Sequence, residues 1–150
     1  MATVVAAGLM APSVATFRPD DPLTASELAI VVASLGGAIS VADPERDRSA
    51  MRELDARLVS LTGLRPAAQT IRSAAVDAGL SPRPWLGTET IARMLGFRVN
   101  HLRSEDEYEL QVTQPVTRAE AAYSIAKYLT LDDLQVETAR SGASPSPSLR

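Results

Sequence analysis

The tetrapeptide Thr117-Arg118-Ala119-Glu120 gathers a hydroxyl, a guanidinium and a carboxylate at the head of an apolar run. At a helix start, Thr117 can accept from the N–H three residues on while Glu120 reaches back to the Thr117 N–H, a reciprocal capping box. Arg118 then falls in the first turn. Unpaired N–H groups there favour an anion, and the planar guanidinium can hold a carboxylate by two hydrogen bonds. Its other expected role is a surface ion pair with the acidic stretch Glu105, Asp106, Glu107 and Glu109. Thr24-Ala25-Ser26-Glu27 repeats the cap without the arginine, and Arg18 in the preceding loop is the candidate substitute. Trp85 follows Pro84 and can either present a face to a sugar ring or pack between helices.

Little else in the chain is equipped for catalysis. There is no cysteine and one histidine, His101, which excludes a disulfide frame, a thiol nucleophile, and Cys-based or paired-His metal sites. No nucleophile elbow, glycine-rich phosphate loop or H-E-x-x-H motif occurs. Asp20-Asp21, Asp43 and Asp132-Asp133 fall in loops or at ends, and no spacing singles out an acid–base pair. A non-catalytic protein with no metal and no cofactor is therefore expected. Fifteen basic and eighteen acidic residues leave a net charge of −3, no footprint for wrapping nucleic acid. Aromatic residues make up 4%, too few for a stacking platform. No apolar stretch approaches the ~20 residues that span a bilayer, so no membrane insertion is expected. Residues 1–15 are apolar, but no Lys or Arg precedes Arg18, so a short helix is expected there rather than a secretory signal.

The elements that must position these groups read as an all-α fold of six helices in three pairs, with 45% hydrophobic residues to fill a core. The first helix spans about 2–10. The second, 24–35, carries Leu28, Val31, Val32 and Leu35 on one face and stops at Gly36-Gly37. After a polar connection, 49–61 sets Met51, Leu54, Leu58 and Leu61 on one stripe. Pro66 opens the fourth helix and Gly79 closes it, and Ser81-Pro82-Arg83-Pro84 forms a rigid loop. The fifth runs from about 88 to 96. A polar loop over 100–114 leads to the sixth, 117–129, which buries Ala121, Ile125, Tyr128 and Leu129. Residues 138–150 are rich in Ser, Pro, Gly and Ala, and a disordered tail or linker is expected.

Two of the pairs match each other. Pro22-Leu23-Thr24-Ala25-Ser26-Glu27 aligns with Pro115-Val116-Thr117-Arg118-Ala119-Glu120. Upstream, each has a glycine followed by an apolar residue (Gly8-Leu9, Gly96-Phe97), a loop, and an anchor: Phe17 in one, Tyr108 or Leu110 in the other. This pattern resembles the S-layer homology repeat, whose second helix opens with Thr-Arg-Ala-Glu. The resemblance implies repeats at 1–37 and 87–131, with a degenerate middle repeat at 48–80, in one pseudo-threefold unit. It further implies a non-catalytic anchor at the cell surface that binds a secondary cell-wall polysaccharide, pyruvylated in many members. Arg118 would meet the ligand's carboxylate in a groove between repeats, with Thr117 and Glu120 fixing the helix start beneath it. Arg118→Ala would then spare folding and abolish binding. Ala25 supplies no such contact, so the first groove would be weak or empty.

A rival reading comes from 88–103, which resembles a DNA-binding helix-turn-helix. Ala92, Gly96 and Leu102 take its small, turn and apolar positions, and Arg98, Asn100, His101 and Arg103 would face the major groove. It leaves the similarity between the two capped segments unexplained, and the chain's acidity does not help it.

Overall fold

Three short extended segments, each just ahead of a helix, hydrogen-bond to one another in a closed ring. The Leu23 N–H donates to Val116 O (2.8 Å), the Val116 N–H to Ser49 O (2.9 Å), and the Ser49 N–H to Leu23 O (2.9 Å). The computed structural model describes residues 2–38, 48–98 and 111–143, and these fold as helices apart from isolated bridges at Pro22–Thr117 and Ala50–Pro115. In chain order they are α1 (Ala2–Ala6), a 3-10 turn (Val14–Thr16), α2 (Ala25–Ser34), α3 (Met51–Leu61), α4 (Arg65–Asp77), α5 (Leu86–Met94), α6 (Arg118–Leu129) and α7 (Asp133–Gly142).

The ring makes α2, α3 and α6 counterparts. Each begins two residues after its ring member, and each carries a glutamate at its third position: Glu27, Glu53 and Glu120. In α2 the capping box is complete. Thr24 Oγ1 accepts from the Glu27 N–H (3.1 Å), and Glu27 Oε2 accepts from the Thr24 N–H (3.0 Å). At α6, Thr117 Oγ1 accepts from the Glu120 N–H (3.2 Å). Ahead of α3 stands Ala50, which has no acceptor side chain, yet Glu53 still returns to the Ala50 N–H (3.1 Å). The middle member is therefore Ala50-Met51-Arg52-Glu53, a start that lacks the threonine and so does not read as a cap. It corresponds to the second helix of the outer pairs, whereas 48–80 reads in sequence as a pair that this helix leads.

The first-turn amides are also handed over in a repeating way. Arg118 N–H and Ala119 N–H donate to the carbonyls of Asp21 and Pro19 (both 2.9 Å). Met51 N–H and Arg52 N–H donate to the carbonyls of Gln114 and Val112 (3.0 and 2.8 Å). In both cases the acceptors lie three and five residues before a capping position, so the loop ahead of α2 satisfies the start of α6 and the loop ahead of α6 satisfies the start of α3.

Leu23 and Val116 are fully buried, and one hydrophobic core runs beneath the ring through Phe17, Leu54, Leu58, Ile91, Phe97 and Ile125. The chief helix contact is α4 on α5, with α3 also on α5. It depends on Gly87, where a Cβ would overlap the Ala68 carbonyl of α4.

The chain corrects one expectation here. Residues 138–143 are not a disordered tail: α7 runs through Gly142, and Ala139 and Ala143 are buried. Asp132 and Gln135 form its capping box, with bonds of 2.7 and 3.1 Å. Small residues that resemble a linker are here the buried side of a helix, Ala139 and Ala143. A Cβ on Gly142 would come within 2.7 Å of Met94 Cε on α5. Residues 144–150 lie outside the described residues.

Gly87→Ala forces α4 and α5 apart because the clash is with backbone. It should lower stability by about 3 kcal/mol in urea denaturation followed by circular dichroism.

Candidate functional site

Arg118 sits at the first position of α6, and its side chain is 4% exposed. It does not open onto a groove. Nε donates to Phe17 O (2.7 Å), Nη1 to Glu27 Oε1, and Nη2 to Met10 O. The guanidinium also lies over the Phe17 ring, 5.3 Å from its centroid. A buried charge persists only when paired and hydrogen-bonded, and here every donor nitrogen has a partner. Its two carbonyl acceptors border uncommon backbone: Met10 itself is left-handed, and Phe17, in ordinary right-handed backbone, precedes a left-handed residue. Met10 has φ +65°, and Arg18, which follows Phe17, has φ +50°. Arg118 thus fastens the loop between α1 and α2 to the start of α6, and Glu27 serves both the α2 cap and this ion pair.

One expectation for Arg118 is overturned. The first-turn N–H groups are not free for an anion, because Asp21, Pro19 and Thr117 already accept from them. Its substitution is expected to cost stability rather than spare folding, because removal leaves Glu27 Oε1 and two carbonyls without this donor. A carboxylate ligand would have to displace Glu27. Arg18 is also no substitute for the arginine missing at Ala25. It is exposed and pairs locally with Asp21 (3.1 Å). Thr117 caps the start of α6 by accepting from the Glu120 N–H, the one half of the expected capping box that this start shows. The acidic stretch 105–109 and the anchors Tyr108 and Leu110 lie outside the described residues.

Trp85 is half-buried at the head of α5 and neither wholly packed nor bare. Arg52 of α3 lies over its ring at 5.4 Å from the centroid, and Arg83 at 5.8 Å. Sequence reasoning missed both arginines as partners. Arg83 was within reach, two residues from Trp85 in Pro82-Arg83-Pro84-Trp85. Arg52 had no local signal, since only the packing of α3 on α5 brings it there.

A second buried ion pair joins α3 to the segment after α5. Arg98 Nη1 donates to Asp55 Oδ2 (2.9 Å), with side chains 2% and 1% exposed. Asp55 Oδ1 is buried without a partner. Burial raises the Asp55 carboxyl from its ordinary 3.8 to about 6, against the opposing pull of Arg98. This pair corrects the helix-turn-helix reading, in which Arg98 faces a DNA groove. Asn100, His101, Leu102 and Arg103 lie outside the described residues.

The surface also holds a small groove between the α3–α4 turn and α7, lined by Gly63, Pro66, Thr70, Arg140 and Ala143. Among the described residues no helix is long and apolar enough to cross a membrane. Compared with known proteins, the chain matches no family model, no curated protein and no solved structure.

Arg118→Ala should cost on the order of 3 kcal/mol in chemical denaturation, a buried pair cut on one side. A loss near zero would show that the clamp carries no stability. The buried Asp55 gives a pH signature. Between 3.8 and about 6 the folded state keeps a proton that the unfolded state has released. Relative to Asp55→Asn, wild-type stability should therefore fall as pH rises from about 4 to about 6 and stay level above, as read by urea midpoints across that range.

Proposed function

We propose that this chain is a non-catalytic anchoring module of the S-layer homology kind, acting at the cell surface by binding an acidic cell-wall polysaccharide. The observation that carries the reading is the closed ring among Leu23, Ser49 and Val116. It joins three helix starts, two with the threonine cap, and so supports the three-repeat arrangement that the resemblance implies. The middle start, Ala50-Met51-Arg52-Glu53, supplies the third member that the sequence motif lacks. In this reading Thr117, Arg118 and Glu120 build the scaffold. Thr117 and Glu120 fix the start of α6, and Arg118 locks the first repeat to the last. The polymer's anionic groups, pyruvate ketals among them, are then met by cations that the scaffold leaves available at its surface.

Co-sedimentation tests this. Purified protein should pellet with wall sacculi that retain their polymers. It should stay in solution with sacculi stripped of polymer, and with sheared genomic DNA at physiological salt. Pelleting with DNA but not with walls would overturn the proposal.

A further inference from the structure

We infer that Arg52, Trp85 and Arg83 form a binding site for the anionic group of a saccharide. This deepens the anchoring reading and rests on it for the choice of a sugar. The geometry brings two guanidinium groups over one indole, at 5.4 and 5.8 Å from its centroid. Five other arginines, Arg18, Arg93, Arg98, Arg118 and Arg140, pair with carboxylates. Arg52 and Arg83, like Arg57, Arg65 and Arg72, have no ion pair among the described residues, and of these Arg52 and Arg83 share one aromatic ring. A guanidinium stacked on an aromatic ring is engaged through its face, which leaves the N–H donors in its plane for a carboxylate or phosphate. An oxyanion at this ring would accept from guanidinium donors that no carboxylate occupies.

The backbone that carries the three side chains is held in place by the fold. Arg52 is in the first turn of α3, where its N–H is fixed on Val112 O (2.8 Å). Arg83 stands between Pro82 and Pro84, whose rings restrict the backbone on both sides. Trp85 heads α5, and its carbonyl accepts from the Glu89 N–H (2.9 Å) and the Thr88 hydroxyl (2.9 Å). The ring is half-buried and Arg83 is exposed, so a ligand has access from solvent. A saccharide suits this surface because it can place a ring against the uncovered part of the indole while its acid group reaches the arginines.

Trp85 is the one tryptophan in the chain, so its fluorescence reports this site alone. The intact protein is titrated with a carboxylated sugar (trigalacturonate), a phosphorylated one (mannose 6-phosphate), a neutral one (maltotriose) and triglutamate. A saturable change in Trp85 emission with either acidic sugar, absent with maltotriose and triglutamate, supports the site. Which acidic sugar responds identifies the anion as carboxylate or phosphate. The change should weaken at least tenfold in Arg83→Gln, which removes an exposed side chain and leaves the core intact, and likewise in Arg52→Gln once circular dichroism shows it folded. No saturable change with either acidic sugar overturns the inference. So does an equal response to maltotriose or triglutamate, or a response that survives both substitutions. The anchoring reading fails separately. If wild type and Arg83→Gln pellet equally with walls, the site is wrong and the anchor stands. If walls never bind while Trp85 responds to the acidic sugar, the anchor fails and the site stands.

Discussion

The ring at Leu23, Ser49 and Val116 uses three N–H groups and three carbonyls, and each member both donates and accepts. Three separated parts of the chain must arrive together for any of these groups to be satisfied. That requirement sets the start of α2, α3 and α6, because each helix begins two residues beyond its ring member. It also sets the loops before them, whose carbonyls take up the first amides of the neighbouring helix at α3 and α6. Backbone buried under Leu23 and Val116 cannot turn to water for these bonds, so the ring is constrained as a unit. Burial of the aliphatic side chains supplies the driving force, and the polar closure selects the arrangement.

Arg118 adds a side-chain closure beside this backbone one. Its fork reaches the carbonyls of Met10 and Phe17, two points on one loop, and the carboxylate that caps α2. The left-handed backbone at Met10 and at Arg18 costs conformational energy that a surrounding network must offset. The guanidinium supplies part of that network. Arg98 and Asp55 do a related job on the opposite pairing, between α3 and the segment after α5, at the cost of one unsatisfied carboxylate oxygen.

Helix content was legible in the sequence because glycine stops, threonine caps and apolar spacing agree locally. The starts of α2 and α6 follow directly from Thr24 and Thr117. What the sequence hid is mostly what depends on tertiary packing. Ala50 carries no capping side chain, so the start of α3 as a ring member is visible only through its bonds. The burial of Arg118 is not a local property. The same residue in the same first turn would be a surface cation if the loop at Met10–Phe17 lay elsewhere. Arg52 reached Trp85 across thirty-three positions of sequence with no pattern to announce it. The helix over Asp133–Gly142 was obscured by composition, since small residues serve a close helix contact as well as they serve a linker.

The ring bears on the order in which the molecule can be built. Leu23 and Arg118 are each tied to partners from the far end of the fold, with Arg118 reaching Met10 over 108 positions. A chain emerging from the ribosome presents α1 and α2 long before residues 116–118 exist. Until then the Leu23 N–H, Glu27 and the carbonyls of Met10 and Phe17 lack their partners. Local helices can form early, but the closing step has a high sequence separation and carries the loop-closure entropy of nearly the whole domain. Folding of this small helical protein is therefore expected to be slower than its helix content suggests and to complete only after the start of α6 is synthesised.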